Sequence, residues 1–272
     1  MRKRAVTRSP AKARSTKKPW PDPRHATTKS RARTKPDTIV YLGPSLPADD
    51  ARRLLPGAEI RGPAAVGDIL RASRERGIRR IAIIDGYFER MAAVWHKEIL
   101  VALERGIEVW GASSMGALRA AELAPFGMRG VGEVYEQLAH GELESDDEVA
   151  VAHLPAAQGY RAVSVALVSI RVALAVAAHT GAIREKTRAA LVEIARGMFY
   201  RDRTWEALLA EGRRRGGPAA ALAAAAAWPK HDIKAMDAQR LLLALAGSRP
   251  VKPRRIRVPR TWALRQLETL VL

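Results

Sequence analysis

Short runs of β-branched and aromatic residues alternate with segments of helical spacing in the first half of the chain. Three of these runs lie at 38–42, 80–84 and 107–110, and a glycine stands in the turn after each. This alternation predicts β–α–β crossovers and therefore a parallel sheet with flanking helices on both faces. A fourth strand is predicted at 149–154. The helices of this part are predicted at 48–55, 66–76, 92–105 and 115–123.

From Val163 onward the sequence pattern is only helical. The stretch 163–178 is apolar almost all round, but Arg171 interrupts it. A membrane span needs about 20 apolar residues without such a charge, so we predict a buried helix and no membrane partner. The fold class is therefore α/β, with an all-helical part after the sheet. Further helices are predicted at 185–198, 202–214 and 234–246, and 219–227 is alanine-rich.

The formal net charge of +19 lies almost entirely at the two ends of the chain. Residues 1–36 hold 13 Lys and Arg against one acid, and residues 250–272 hold six against one. The rest is nearly neutral, which disfavours a basic DNA-binding core. We predict four parts: a disordered basic tail at 1–36, an α/β core at 37–160, a helical part at 161–249 packed on the core, and a basic segment at 250–272. Contact of the tails with a nucleic acid is a weaker alternative.

The chain contains no cysteine. Disulfides, zinc-thiolate sites, iron–sulfur ligation and a cysteine nucleophile are thereby excluded.

No apolar run follows the first arginines, so no secretory signal peptide is predicted and we expect a cytoplasmic protein. The Gly111-x4-Gly116 spacing lacks the Lys-Ser/Thr of a nucleotide-binding loop, and the sequence indicates no cofactor and no metal site.

Small and polar residues follow each of the three predicted strands, at 43–45, 85–89 and 111–116. Ligands of open parallel sheets bind outside the carboxyl ends of the strands, so these three loops are expected to share one crevice. The residues predicted to line it are Gly43, Pro44, Ser45, Gly86, Tyr87, Ser113 and Gly116.

The segment 111–118 has the pattern of a serine elbow, with Ser114 between the small residues Ala112 and Gly116. A sharp strand-to-helix turn exposes the hydroxyl and directs the following amides at a developing oxyanion. The helix N-terminus adds partial positive charge there. Three interpretations are open: Ser113 or Ser114 caps the helix, Ser114 is a nucleophile, or the turn is a cradle for an anion or carboxylate.

A serine nucleophile needs a base and a group that orients the base. His96, in the helix after the second strand-end loop, is the best-placed histidine, and Lys97 is the second choice. Asp85 either orients the base or only closes its turn. His153 and His179 are weaker positions. The acidic run at 142–148 is predicted to be a solvated loop, with a cation or basic-partner site as the alternative.

Several of these segments together resemble the TfuA-like family. The motifs are VYLGPSL at 40–46, IDGYF at 84–88, VWHKEIL at 94–100 and GASSMGALRAAEL at 111–123, and they continue at 124–128 and 146–151. The resemblance covers roughly residues 38–154 and makes the predicted core a TfuA-like core domain. Its motif positions are candidate site residues: Asp85, His96, Lys97, Ser113, Ser114 and Glu122, with Arg119 in the same motif.

The resemblance implies a function that the residues alone do not give. TfuA-like proteins accompany YcaO enzymes in the modification of ribosomal peptides, including trifolitoxin-type products, and are linked with backbone thioamidation. The implied partners are a YcaO-type enzyme, a ThiS-like sulfur carrier and a precursor peptide. One implied role is serine-centred hydrolysis of the thiocarboxylated carrier to release sulfide. The alternative is a non-catalytic partner that docks on the YcaO enzyme and activates it.

Overall fold

The computed structural model describes residues 36–88 and 91–271. The predicted disordered tail lies outside the described residues, apart from Pro36. The predicted domain limits at 160 and 249 remain predictions.

A five-stranded, wholly parallel sheet forms the centre of the fold, as the sequence predicts. Its strands are β1 (Thr38–Tyr41), β2 (Glu59–Arg61), β3 (Arg80–Ile83), β4 (Glu108–Ala112) and β5 (Arg129–Val131). The strand order is β2-β1-β3-β4-β5. The chain therefore moves to one side of β1 first and then to the other, which creates a topological switch point between β1 and β3.

Eleven α-helices lie within the described ranges. They are α1 (Ala48–Leu54), α2 (Asp68–Arg74), α3 (His96–Glu104), α4 (Met115–Leu123), α5 (Glu133–Ala139), α6 (Leu167–His179), α7 (Glu185–Arg196), α8 (Trp205–Arg214), α9 (Ala219–Ala227), α10 (Ile233–Ala246) and α11 (Trp262–Leu270). None of them is long and apolar enough to span a membrane.

Alternate residues of the strands bury against helices on opposite faces of the sheet. On one face, Val40, Ala82 and Ile84 pack with α1 and α10. On the other face, Ile39, Ile81, Ile83 and Val109 pack with α2, α3 and α4. Right-handed crossovers require this distribution once the strand order reverses at β1. Helix α10 thus returns to the sheet from the C-terminal part of the chain.

The second half is helical, as predicted, and helices α6 to α9 have a hydrophobic cluster of their own. It includes Leu167, Ile170, Leu174, Leu191, Ile194, Leu208 and Leu222. The predicted basic C-terminal segment includes α11, whose Leu264 and Leu267 pack with Leu70 of α2 and Val101 of α3.

The predicted strand at 149–154 is wrong. This segment pairs only through an isolated bridge between His153 and Ala162, although its apolar, β-branched composition is typical of a strand. It runs past the carboxyl end of the sheet towards the helical cluster, and it forms walls of the cavities described below. The apolar residues of this segment therefore face other elements rather than neighbouring strands.

Candidate active site

The loops after β1 and β3 meet at the switch point through the buried carboxylate of Asp85. Its Oδ2 accepts hydrogen bonds from the backbone N–H groups of Gly43 (2.8 Å) and Ser45 (3.0 Å). Its Oδ1 accepts the Ser45 hydroxyl at 2.6 Å. Only 1% of Asp85 is exposed. Three donors fix this carboxylate, so Asp85 organises the loop rather than merely closing its own turn.

The elbow between β4 and α4 joins the same network. Ser113 has a φ of +69°, a left-handed conformation that is uncommon for a residue with a Cβ and that concentrates at functional sites. Its hydroxyl donates to Ser45 Oγ at 2.8 Å, which creates the chain Ser113–Ser45–Asp85. The sharp turn depends on Gly116, because a Cβ there would lie 1.7 Å from the carbonyl oxygen of Ile83.

Ser114 occupies the N-cap position just before α4, but its side chain makes no capping hydrogen bond. Its hydroxyl instead donates weakly to the carbonyl of Val149, at 3.4 Å. Since Ser113 bonds to Ser45, neither hydroxyl serves as a helix cap, and the capping interpretation is wrong. Among the described residues, no acceptor is found for the backbone N–H of Met115, the next residue. A serine hydroxyl and an unpaired amide therefore lie side by side at a helix N-terminus, the arrangement of an oxyanion site.

Two adjoining cavities lie against these residues, and Pro44 and Val151 line both. The residues of the smaller cavity include Asp85, Gly86, Tyr87, Ser114 and His153. The larger one has a volume of about 300 Å³, and its residues include Ser45, Ser164, Trp205, Lys230 and Lys234. The turns after β1, β3 and β4 all contribute to these cavities. Of the residues predicted to line the crevice, Pro44, Ser45, Gly86 and Tyr87 line at least one of the two cavities, whereas Gly43, Ser113 and Gly116 line neither.

Lys234, in the first turn of α10, is a site residue that the sequence analysis missed. It is 2% exposed, and its Nζ donates to the carbonyl of Val149 at 2.7 Å. Burial lowers its pKa, while the charges of Asp85 and Asp232 act in the opposite direction. The signal was available, because Lys234 shares a helical face with Ala238, Leu241 and Leu245, all of which are buried.

His96 and Lys97 lie in a different place from Ser114. His96 is exposed and bonds through Nε2 to Glu122 at 2.7 Å, and Glu122 also accepts from Arg119. Glu122 follows Ser114 by eight residues in α4, a distance of about 12 Å along the helix. Lys97 donates to Thr261. These residues form a separate polar cluster on the surface, and no described contact connects them to the elbow.

His153, a weaker position in the sequence, lines the smaller cavity together with Ser114. Its Nδ1 bonds to the carbonyl of Leu154 at 2.8 Å, and its ring lies 5.8 Å from the rings of both Tyr87 and Tyr160. His179, the other histidine considered, is exposed at the end of α6.

The acidic run at 142–148 is only partly a solvated loop. Asp147 binds the fully buried Arg203 at 2.6 Å, and the buried Glu148 accepts three hydrogen bonds from Arg171. Within the described ranges, no three His, Asp or Glu side chains are grouped as a metal site requires. These two pairs attach the run to the helical part and so hold the next residue, Val149, beside the elbow.

A doubly wound parallel sheet with a serine elbow and a buried carboxylate at its switch point defines an α/β protein with a site at the carboxyl edge of the sheet. The family model described as TfuA-like protein matches residues 85–204. This match confirms the resemblance to the TfuA-like family that the motifs indicate. The match supports, at the level of the family, an accessory role in YcaO-associated modification. No curated protein matches the chain.

Proposed function

We propose that this protein assists sulfur delivery in YcaO-dependent backbone thioamidation of ribosomal peptides, by hydrolysing a thiocarboxylated, ThiS-like sulfur carrier. The observation that carries this proposal is the position of Ser114. Its hydroxyl has no capping role and borders a cavity. It stands beside the N–H of Met115 at the start of α4, which finds no acceptor in the described part of the chain.

The reaction fits a serine nucleophile. Ser114 Oγ attacks the thiocarboxylate carbon and the C–S bond breaks. The hydroxyl proton moves to the departing sulfur, so that sulfide leaves as HS⁻ while an ester forms on Ser114. Water then hydrolyses the ester: its OH joins the carrier carbonyl carbon and one proton restores the Ser114 hydroxyl. The carboxyl group that forms loses its proton to solvent and leaves as the carrier carboxylate. The negative charge that develops on the carbonyl oxygen meets the Met115 N–H and the positive end of the α4 dipole. No oxidation or reduction takes place in either step.

Asp85, Ser45 and Ser113 hold the elbow in its conformation. Asp85 fixes Ser45, and Ser45 fixes Ser113, the residue that gives the elbow its left-handed turn. Because the Asp85 carboxylate already accepts three hydrogen bonds, it is a positioning residue rather than the base of the reaction.

Sulfide release from a purified thiocarboxylated ThiS-like carrier tests the proposal. We expect Ser114→Ala to lower the rate at least about 1,000-fold, since the nucleophile is lost. Ser73→Ala is the matched control, because Ser73 is equally buried but bonds to Leu70 within α2. It should release sulfide at the wild-type rate.

Two results would change the assignment. Loss of activity in Ser113→Ala with full activity in Ser114→Ala would transfer the nucleophile to Ser113. A wild-type protein that releases no sulfide, yet stimulates the YcaO enzyme equally well with Ser114→Ala, would contradict hydrolysis and favour the docking alternative.

A further inference from the structure

We propose that the connection between α10 and α11 is a binding surface for single-stranded RNA, whose phosphates pair with the arginines of this connection while a base stacks on Trp262. We call residues 249–260 of this connection the basic strap. They include six Lys and Arg and no acid. This inference does not depend on the proposed hydrolysis, because it concerns the other edge of the sheet.

The basic strap crosses the amino edge of the parallel sheet. Arg79, just before β3, donates to the carbonyl of Pro250 at 3.5 Å. Lys252 lies against the turn before β4, since a Cβ at Gly106 would be 3.5 Å from its side chain. Ser114 follows the carboxyl end of β4, so it lies at the opposite edge. A strand of RNA bound to the basic strap therefore leaves the cavity beside Ser114 open.

Apolar side chains attach the basic strap to the fold. Ile256 packs against the hydrophobic clusters of α2 and α3, and the buried Val258 packs with Leu264 of α11. The backbone N–H of Val258 donates to Glu104 at the end of α3, at 2.8 Å. The strap is therefore held in place before a ligand arrives, which lowers the entropic cost of binding.

The anchoring side chains alternate with exposed arginines. Ile256 and Val258 pack inward, whereas Arg255 and Arg257 are exposed. A period of two is typical of an extended chain, and the three prolines of the strap favour that conformation. Arginines two residues apart are then separated by about 6 to 7 Å along the chain. Neighbouring phosphates of a nucleic-acid strand have a similar separation.

Most cations of the basic strap are free to bind a ligand. Arg260 is the exception, because it forms ion pairs with Glu104 and Glu268. The other five are exposed, and their side chains make no hydrogen bond or ion pair with any described residue: Arg249, Lys252, Arg254, Arg255 and Arg257. Guanidinium groups bind phosphate oxygens in bidentate pairs. A line of such groups without acids between them attracts a polyanion.

Trp262 distinguishes RNA from an acidic protein segment as the ligand. It is the first residue of α11, two positions after the basic strap, and it is 76% exposed. The preceding Thr261 is fixed, because its hydroxyl accepts Lys97 Nζ at 2.7 Å. An exposed indole beside a positively charged track is the arrangement with which proteins bind single strands without sequence preference. Most single-stranded nucleic acid in a cell is RNA, so we assign the surface to RNA.

The test is the fluorescence anisotropy of a labelled oligouridylate of about 20 nucleotides, longer than one binding site, titrated with the full chain at several salt concentrations. We expect the triple variant Arg254→Gln/Arg255→Gln/Arg257→Gln to bind at least about tenfold more weakly. Each phosphate contact on a single strand contributes about 0.7 to the slope of log K against log salt, so the slope should fall by about 2.

The matched control replaces three exposed cations of the helical part that also have no partner among the described residues: Arg184, Lys186 and Arg213, each by glutamine. This control has the same net charge as the triple variant. It should keep the salt slope of the wild type and bind within about threefold of it. Residues 1–35 are identical in all three proteins, so their charge cannot produce the difference.

Two further measurements separate binding from folding and stacking from charge. Both triple variants should unfold at the urea concentration of the wild type, because the substituted side chains are exposed. Trp262→Ala should weaken binding by about fivefold or more and leave the salt slope unchanged, since a stacked base adds no ion pair.

Four results would overturn the inference. The first is a strap variant with the affinity and salt slope of the control, and the second is a Trp262→Ala variant that binds as tightly as the wild type. The third is poly-glutamate that binds as tightly as oligouridylate and loses as much affinity in the strap variant, which would make an acidic protein segment the ligand. The fourth is tighter binding of oligodeoxythymidylate than of oligouridylate, which would make DNA the ligand.

The failure of this inference can be distinguished from the failure of the proposed function. Normal sulfide release without RNA binding removes the RNA surface and keeps the hydrolase. RNA binding that depends on the basic strap, in a protein that releases no sulfide, removes the hydrolase and keeps the RNA surface.

Discussion

The Ser45 hydroxyl donates a hydrogen bond of 2.6 Å to Oδ1 of Asp85, forty residues further along the chain. The other carboxylate oxygen accepts the backbone N–H groups of Gly43 and Ser45. A single buried side chain therefore fixes the loop after β1 to the end of β3 at the switch point of the sheet. The elbow at Ser113 depends on the same contact, because its hydroxyl bonds to Ser45.

Substitution of Asp85 by asparagine should therefore destabilise the fold as well as the site. Asparagine replaces one acceptor oxygen with an NH₂ group, which cannot accept the bonds that the carboxylate oxygen accepts. We expect Asp85→Asn to lower the free energy of unfolding in urea by about 2–4 kcal/mol. Asp146→Asn makes the same chemical change at an exposed position and should stay within about 0.5 kcal/mol. Equal stability of the two variants would show that the Asp85 network is not important for folding.

The closeness of α4 to the sheet makes Gly116 another sensitive position. A Cβ at Gly116 would lie 1.7 Å from the carbonyl oxygen of Ile83, a backbone atom that cannot move aside. Gly116→Ala should destabilise the protein by more than about 3 kcal/mol in chemical unfolding. At Gly197, after α7, the nearest atom would be 3.6 Å away and φ is −78°, so Gly197→Ala should be neutral or slightly stabilising. A stable Gly116→Ala variant would contradict the described elbow.

The pair of Glu148 and Arg171 connects the acidic run to α6 and holds the segment that begins at Val149. Arg171→Ala leaves a buried carboxylate without its partner, and we expect a loss of about 2 kcal/mol or more in unfolding free energy. Sulfide release should fall too, because the Val149 carbonyl is the shared contact of Ser114 and Lys234. Arg52→Ala removes the exposed partner of Asp49 and should cost less than about 0.5 kcal/mol. Similar losses for the two variants would argue against a special role for the buried pair.

The central part of the fold was predictable because its strands are buried on both faces. Such strands are nearly continuous apolar runs, so β1, β3 and β4 are recognisable in the sequence. The turns after β1 and β3 contain a glycine as predicted, whereas Gly111 lies within β4, which ends one residue later at Ala112. The edge strands β2 and β5 have three residues each, too few for any periodic pattern. At residues 149–154 the sequence predicts a strand that the structure does not contain. Their composition is typical of a strand, but their apolar side chains pack between other elements.

The site was predictable only where it is local in sequence. The elbow and the strand-end loops follow from small residues and parallel topology, and the structure places them together. The position of the buried Lys234 beside this site does not follow, because it depends on which helix returns to the sheet. His96 is close to the elbow in sequence but lies on the outside of α3, whereas Lys234 is 120 residues away and lies inside. Only the apolar face that Lys234 shares with Leu241 and Leu245 distinguished it from a surface lysine.

Lys234 should also give the stability of the protein a characteristic pH dependence. Its pKa is about 10.5 in the unfolded chain, and burial lowers it in the folded state. Between these two pKa values the unfolded state binds a proton that the folded state does not, so stability rises with pH in this window and becomes constant above the unfolded pKa. The unfolding free energy of the wild type minus that of Lys234→Met should therefore increase with pH, by at most about 1.4 kcal/mol per pH unit. Urea unfolding of both proteins from neutral to alkaline pH measures this difference. A difference that does not change with pH would mean that Lys234 keeps its ordinary pKa in the folded protein.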